Sequence, residues 1–526
     1  MLKNIFLSVL ILLLPLSRLS AQVSNDWSQK YFNSDSVMQR ADMKYPAAWS
    51  IASTPAGQPG IFPEGAFRAT DMSRLNNAKL VWNSIDPLFY DKSPATPVNI
   101  LNDPDALSHF SVCPVWENQL FPEAENPCGC PVNLSTLNIS FYPEEKGPWN
   151  FDLHPGPFSA GIGASGHLNN PDSRWGGITR SISGFDWILI TDTAATRNIN
   201  YKFIDGWLMD PFAEDSLNEG GTLFFNIGDV SEDVIDPGIM NAETGDPGLD
   251  NLSDAAERNA YGTYLDSVAA LYGTNSPAYM TAVLDPCNDD YHYFRGHDYD
   301  QMAYGVLNRY KKFNGTEGNS TGVPQESYPT VARVYPDAED INHNASLDTA
   351  ERYYQFRLNL KPWDLVTGHN HITEQRTVTT IFPNGMSASV NWYHFMIPIT
   401  EPDTVIGGFC QLKSARFMRI FLKGFAMETH LRFATLDLDY LQKRTFKGRI
   451  SVYPNPTDAN LTIDFDNREA HSLALYDISG RIIFSRTISL VDEQKLRLDL
   501  SGQAPGIYFL KLITAQETVI EKVIVN

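Results

Sequence analysis

Basic residues are scarce in this chain of 526 residues, where 40 lysines and arginines stand against 62 aspartates and glutamates. The formal net charge is −22 at pH 7. Nucleic-acid binding needs basic patches that neutralise phosphates, so this balance argues against a nucleic-acid partner. An acidic surface keeps a secreted protein in solution and offers carboxylates to divalent cations. The charge therefore favours a secreted protein.

Long hydrophobic runs are almost absent. Only residues 5–14 form an apolar run, and a helix needs about 20 such residues to cross a bilayer. Lys3 precedes the run, and Ala21 supplies a small residue before a cleavage site. This arrangement is typical of a secretory signal peptide over residues 1–21. We therefore expect the mature protein to be exported and not to span a membrane.

Cysteine is rare as well. The odd number of cysteines leaves one thiol over, even if disulfides form in an oxidising compartment. No second Cys or His pair has the spacing of a zinc site. The sequence leaves the pairing open for its five cysteines, which are Cys113, Cys128, Cys130, Cys287 and Cys410.

Signatures of common enzyme classes are missing. The chain has no H-E-x-x-H zinc motif, no G-x-S-x-G elbow and no phosphate-binding glycine loop. His369 and His371 could bind zinc from one face of a strand, but no third ligand is evident. Residues 289–292 and 297–300 could form an acid–base cluster, although carboxylates are abundant throughout. We therefore expect no enzymatic activity and no catalytic residue.

Alternating aromatic and β-branched residues dominate the middle of the chain, which is the pattern of half-buried strands. A helix is predicted from the N-cap Ser253 to Leu271, because Tyr272 and Gly273 would end it. We predict a mainly β fold with a jelly-roll-like β-sandwich body and helical insertions. The predicted strands cover residues 137–142, 204–209, 222–227, 392–397, 417–422 and 431–436.

The most specific pattern in the body is residues 340–351. Oxygen-bearing side chains fall at positions 1, 3, 5, 9 and 12 of this segment, and position 7 would supply a carbonyl. A hard cation takes several such oxygens, so the spacing predicts a structural calcium loop. The expected ligands are Asp340, Asn342, Asn344, Ser346, Asp348 and Glu351.

Two features of this loop depart from the usual calcium loop. Ala345 stands where glycine normally makes the sharp turn, at a cost of about 1 kcal/mol if φ is positive. Pro329 and Pro336 leave little room for an entering helix. We therefore expect an isolated loop followed by a helix from about Thr349, with an affinity of about 10⁻⁴ M.

The end of the chain carries several motifs in a fixed order. Alternating runs at 461–465 and 508–512, separated by turn residues, predict a small β-sandwich. The whole segment 446–526 resembles the type A C-terminal sorting domain of the type IX secretion system of Bacteroidetes. This resemblance implies an immunoglobulin-like sandwich and export to the cell surface or the medium. The matching sorting-signal residues are Tyr453, Pro454, Asn455, Pro456, Gly480, Gly506, Tyr508 and Lys522.

A second resemblance covers roughly residues 66–445. These residues resemble one module of SprA, the large outer-membrane protein of type IX secretion and gliding motility. The chain has one copy of the module and no barrel, so channel function does not carry over. The resemblance implies a non-catalytic module. It rests on residues 141–151, 174–178, 207–212, 226–233, 293–296, 314–320, 326–329 and 416–419.

Four segments follow from these observations: a signal peptide at 1–21, a loosely ordered lead-in at 22–65, the SprA-like domain at 66–445 and the sorting domain at 446–526. The favoured function is a secreted or surface interaction module. Its partners would be the type IX translocon and sorting machinery, or other outer-membrane and motility proteins.

Carbohydrate binding is the alternative function, and polysaccharide hydrolysis is a less favoured one. Both would use an exposed face of aromatic rings, on which sugars stack. The tryptophans that could line such a face are Trp175, Trp207, Trp363 and Trp392. Alternating positions in strands would instead place most of these rings in the core.

Overall fold

The structure is a computed structural model with two compact units. One unit, here called the body, is Met38–Gln442, and the other contains the tail, Lys443–Asn526. The predicted signal peptide and the predicted boundary at 445/446 lie outside the described residues. Within the described part, no helix is both long and apolar enough to cross a membrane. The structure describes residues 36–68, 70–102, 109–124, 130, 132–182, 200–235, 237–243, 249–290, 292–313, 338–409, 412, 415–443, 451–464, 470–478, 481–487, 495–514 and 518–526.

The body is an antiparallel β-sandwich. One sheet has the order β3-β4-β13-β6-β10-β9, with β1 paired to β13, and the other has the order β11-β8-β7-β12-β5-β2. The predicted mainly β fold is confirmed, and every strand predicted in the body from alternation is present. The strands are β1 Ser36–Asp42, β2 Ser50–Ile51, β3 Ala78–Asn83, β4 Leu137–Lys146, β5 Trp175–Ser181, β6 Asn200–Met209, β7 Gly221–Asp229, β8 Arg352–Leu360, β9 Ile372–Ile381, β10 Ser387–Pro398, β11 Thr404–Ile406, β12 Phe417–Lys423 and β13 Thr429–Lys443.

The main core lies between the two sheets of the body. Phe141 and Phe433 enter it from one sheet, and Phe225 and Ile420 enter it from the other, all with no exposed surface. Burying one such side chain contributes about 1.5–3 kcal/mol, so this layer supplies much of the stability of the body. Central strands such as β7 and β12 are buried along nearly their whole length, because other segments cover the outer faces of the sheets.

One of these covering segments is the described part of the predicted lead-in. β2 pairs with β5, and Phe62 packs edge-on against Trp175 and Phe421 at centroid distances of 5.4 and 5.1 Å. The expectation of a loosely ordered lead-in therefore does not hold for residues 36–65. Composition suggested disorder, but the few aromatic side chains in this stretch are enough to fix it to the sheet.

Helices occur as short insertions. The predicted helix after Ser253 forms as two helices, because the chain turns at Tyr261 and restarts at Gly262. Ser253 is the N-cap residue, and Gly273, with φ +85°, ends the second helix as expected. The α-helices are α1 Val98–Asn102, α2 Glu117–Leu120, α3 Asp254–Ala260, α4 Gly262–Tyr272, α5 Pro277–Leu284, α6 His297–Gln301 and α7 Val306–Arg309.

The prediction of a helix from about Thr349 is wrong. Strand β8 begins at Arg352 and pairs with β7 along its full length. Its buried side chains include Tyr353 and Phe356, which pack into the sandwich. Aromatic residues that fill a sheet core outweigh the local helix signal after the loop.

The tail has two antiparallel sheets, ordered β14-β15-β18 and β17-β16-β19-β20. Leu461, Leu475 and Leu510 from these sheets share one core and are fully or almost fully buried. This arrangement agrees with the small sandwich predicted for the tail. The strands are β14 Ser451–Tyr453, β15 Asn460–Asp464, β16 Ala470–Asp477, β17 Ile482–Thr487, β18 Lys495–Asp499, β19 Gly506–Thr514 and β20 Thr518–Val525.

Candidate functional site

The predicted calcium loop folds around its own oxygen-bearing side chains. The Asp340 carboxylate accepts from the backbone N–H groups of Asn344 at 2.8 Å and Ala345 at 2.9 Å. The Asn344 side-chain oxygen accepts from the Ser346 N–H at 2.8 Å. Ala345 has φ +59°, so the position expected to need glycine is indeed left-handed. Amide donors thus wrap the first half of the loop around Asp340.

Asp348 closes the loop from the other side. Its Oδ2 accepts from the side-chain amides of Asn342 at 2.7 Å and Asn344 at 3.4 Å, and its Oδ1 pairs with Arg416 at 2.5 Å. The structure therefore brings together Asp340, Asn342, Asn344 and Asp348. All of these side chains carry the oxygen atoms that calcium prefers, so the donor set fits the ion.

Glu351 does not join this group. Its carboxylate forms a bidentate pair with Arg419, at 2.9 and 3.0 Å, and also accepts from the Ser231 N–H at 2.9 Å. The pair is buried, with side chains at most 5% exposed. The acids Asp340, Asp348 and Glu351 do not form a group whose ligand atoms lie within 4.8 Å of one another. The expected twelfth-position ligand is thus engaged elsewhere.

Glu232 is the residue that sequence reasoning missed. Its buried carboxylate accepts from the backbone N–H groups of Asn342 at 3.2 Å and Asp348 at 3.0 Å. Burial raises the pKa of Glu232 to about 7. Glu232 therefore anchors the loop to the sandwich. Glu232 lies in the segment 226–233, which is part of the SprA-like pattern. Nothing in the spacing of that segment indicates that Glu232 contacts the loop that begins at residue 340.

Motif residues from separate segments meet beneath the loop. Asp229 accepts from Arg416 at 2.9 Å and from Arg352 at 2.7 Å. Arg419 donates to the Asn226 side chain at 3.0 Å as well as to Glu351. Residues 226–233 and 416–419 therefore build one polar network with the strand that follows the loop, and Arg419, Asn226 and Asp229 are its buried members. The network holds charges in fixed pairs.

The H-x-H pair lies in a turn. Asn370 and His371 both have positive φ, at +51° and +63°, which does not place the two rings on one face of a strand. His369 is exposed and lies 3.6 Å from Asp364, while burial lowers the pKa of His371. Neither histidine belongs to a potential metal-binding group of the described residues.

Among the described residues, the segments 289–292 and 297–300 meet through His292 only in part. His292 contacts Asp298 at 3.1 Å, and its ring lies against Tyr299. Asp289 is instead buried beside Glu257 and Asp285. Tyr291 lies outside the described residues.

The tryptophans proposed to stack on sugars are mostly internal. Trp175, Trp207 and Trp392 are 0%, 6% and 2% exposed, whereas Trp363 is 60% exposed. The predicted aromatic face is therefore not formed by these four residues. Trp207 and Trp392 pack instead with the segment around α2.

The sorting motif of the tail is joined to the last strand. The Asn455 side chain donates to the Lys522 carbonyl at 2.6 Å and accepts from the Ile524 N–H at 2.9 Å. Tyr508 is buried and donates to the Ala504 carbonyl at 2.7 Å, close to Gly506. The Asn455 side chain thus forms the two kinds of hydrogen bond that the backbone of a neighbouring strand would form with β20, and it connects the start of the tail to its end.

The other predicted sorting residues have different positions. Pro454 and Pro456 flank Asn455, and Tyr453 at the end of β14 is 42% exposed. The Lys495 ammonium lies 3.3 Å from the Tyr453 hydroxyl. Gly480 lies outside the described residues. Most of the motif therefore belongs to one edge of the tail.

Comparison with known families identifies two segments. A family model for the N-terminal part of SprA, described as a motility related/secretion protein, matches residues 263–473. A model for a secretion system C-terminal sorting domain matches residues 451–526. The two matches overlap at 451–473, and the first contains the loop and strands β8 to β13. No curated protein matches the chain.

These matches agree with the two resemblances seen in the sequence. The tail marks the protein for export by the type IX system, to the cell surface or the medium. The chain thus combines a segment that matches the motility related/secretion protein family model of SprA with a tail that matches the secretion system C-terminal sorting domain.

Proposed function

We propose that this protein is a non-catalytic interaction module that acts with the type IX secretion or gliding apparatus after its own export. The observation that carries the proposal is the combination of a SprA-family segment with a sorting tail in one chain. A cargo that carries a piece of a secretion protein is suited to contact the apparatus, since the parent family works there.

The absence of catalysis is part of this proposal. The charged residues of the SprA-like motifs, such as Asp229, Arg416 and Arg419, are held in ion pairs and hydrogen bonds inside the body. A general acid or base has to reach a substrate, whereas these groups stabilise the fold. The motif residues therefore favour a scaffold that presents a surface.

A structural calcium ion in the loop 340–351 belongs to the same proposal. Asp340, Asn342, Asn344 and Asp348, with the Ser346 carbonyl, would hold the ion. Calcium would supply the positive charge that fixes this loop. Glu232 would orient the loop through the backbone of Asn342 and Asp348. The carbohydrate-binding alternative has less support, because most of its proposed aromatic residues are buried.

A cross-linked pull-down of the tagged protein from its native cells tests the interaction role. We expect translocon or motility proteins to be recovered in calcium and to decrease in chelator. Asp340→Asn should reproduce the effect of chelator, whereas Asp91→Asn, an exposed change outside the loop, should not. Recovery of no envelope protein under any condition would reject the proposed function.

A further inference from the structure

A second acidic site lies in the helical insertion, away from the loop 340–351. Glu257 comes from α3, and Asp285 and Asp289 come from the turn that follows α5. One carboxylate oxygen from each of these three side chains lies within 4.8 Å of the others. Residues of separate helices are therefore brought together at one point.

The backbone holds this arrangement in place. The Asp285 carboxylate accepts from the Asp289 N–H at 3.2 Å, and Glu257 accepts from the Cys287 N–H at 3.1 Å. The Cys287 carbonyl in turn accepts from the Trp149 N–H at 2.6 Å. The turn is thus connected both to α3 and to the segment after β4, and the carboxylates are positioned before any ligand arrives.

Asp289 supplies an independent observation. The residue is only 8% exposed, and its Oδ2 atom has no hydrogen-bond partner. A buried polar atom without a partner costs about 1–3 kcal/mol, and a charged one costs more. The same side chain lines a cavity together with Trp149 and Leu249. A cation site without its ion is expected to contain an unsatisfied carboxylate close to other carboxylates, and Asp289 with Glu257 and Asp285 has this arrangement.

The local charge balance points the same way. Lys312 lies 3.3 Å from both Asp285 and Asp290, while Lys79 and Lys311 pair with Glu145, so carboxylates outnumber ammonium groups here. A divalent cation would compensate the remaining negative charge.

We propose that Glu257, Asp285 and Asp289 form a calcium site that fixes α3 to the turn after α5. Carboxylate oxygens are hard ligands, and calcium accepts irregular sets of them more readily than magnesium does. Zinc is disfavoured, because it favours thiolate and imidazole ligands and the three proposed ligands are all carboxylates. The expected dissociation constant is in the range of about 10⁻⁴ M found for extracellular modules.

Calorimetric titration of the chelator-treated full chain with Ca²⁺ tests this site, together with thermal unfolding in Ca²⁺, Mg²⁺ and chelator. Asp289→Asn should weaken one binding event by about tenfold or more and reduce the calcium-dependent rise in Tm. The matched control is Asp266→Asn, an exposed change on α4, which should behave as the unchanged protein does. Asparagine has nearly the same size and shape as aspartate, so the variant should fold.

A second variant distinguishes calcium binding by the loop 340–351 from calcium binding at this site. Asp340→Asn should remove only the loop event, and the double variant should bind no calcium. If Asp340→Asn has no effect while Asp289→Asn does, the loop proposal fails and this inference stands. Unchanged titration and unchanged calcium-dependent Tm in Asp289→Asn would overturn the inference, as would an equal response to Mg²⁺.

Discussion

Arg419 is the buried side chain that links the SprA-like motifs 226–233 and 416–419 to Glu351. Its guanidinium is fully buried, pairs with both oxygens of Glu351 and also donates to Asn226. Removing one partner of a buried ion pair leaves an uncompensated charge, which is far more costly than losing a surface pair. The motif 416–419 thus contributes to stability through the buried ion pair of Arg419.

Arg419→Met should lower the free energy of unfolding by about 3–5 kcal/mol, because Glu351 would remain buried without its partner. Arg357 is the control, since its pair with Asp403 at 3.0 Å is half exposed. Arg357→Met should change stability by less than about 1 kcal/mol. Denaturant unfolding followed by tryptophan fluorescence measures both, and equal losses would contradict this account.

Ala345 offers a second test at the residue scale. Its φ of +59° is unfavourable for a residue with a Cβ atom, whereas glycine adopts it readily. Ala345→Gly should therefore raise stability by up to about 1 kcal/mol and strengthen calcium binding by the loop. Ala256→Gly, inside α3, should instead lower stability by about 0.5–1 kcal/mol. Thermal unfolding compares them, and a loss of stability at both positions would refute the prediction.

Strand β13 carries carboxylates on the side of the sheet that faces away from the main core. Asp437 lies directly opposite Asp205 of β6, and like charges in that position repel. Burial, followed by the charges of Asp42 and Asp205, raises the pKa of Asp437 to about 7. The folded protein thus holds this proton more tightly than the unfolded chain, where the pKa is about 3.9.

This shift makes stability depend on pH. The carboxyl favours the folded state below about pH 4, and its contribution falls as the pH rises to about 7, where the folded state also loses the proton. Asp437→Asn should therefore stabilise the protein at pH 8, by on the order of 1–3 kcal/mol, and much less at pH 4. Tm measured against pH tests this, with the exposed Asp91→Asn as control. The same gain at both pH values would disprove it.

Strands were easier to predict than the elements around the loop. Alternation identified β4, β6, β7, β10, β12 and β13, because a period of two shows which face is buried. The break at Tyr261 and the strand in place of a helix at Arg352 depend on tertiary packing, which local preference does not encode. The loop spacing located Asp340 and Asp348, but the engagement of Glu351 by Arg419 joins residues far apart in sequence.

At the scale of the whole molecule, the two family matches divide the chain by role. The body contains most of the SprA-family match, and the tail contains the export signal. The Asn455 side chain is hydrogen-bonded to the Lys522 carbonyl and the Ile524 N–H, so a residue of the sorting motif joins the first segment of the tail to its last strand. Export should therefore be sensitive to this one side chain.

Asn455→Ala should remove two hydrogen bonds and lower the stability of the tail by about 1–2 kcal/mol. We expect less protein at the cell surface and in the medium, with more retained inside the cell. Asn460→Ala, an exposed change in β15, is the matched control. Immunoblots of cell fractions measure the distribution, and normal export of Asn455→Ala would count against a sorting role for this residue.

The order of the strands also has a consequence in time. The last two strands of the body, β12 and β13, lie in the interior of their sheets, between β7 and β5 and between β4 and β6. A chain that emerges from its N-terminus cannot complete either sheet until about residue 443 is available. The long sequence separation of these contacts also slows folding. Both sheets of the body therefore remain incomplete until its last two strands, β12 and β13, have been added.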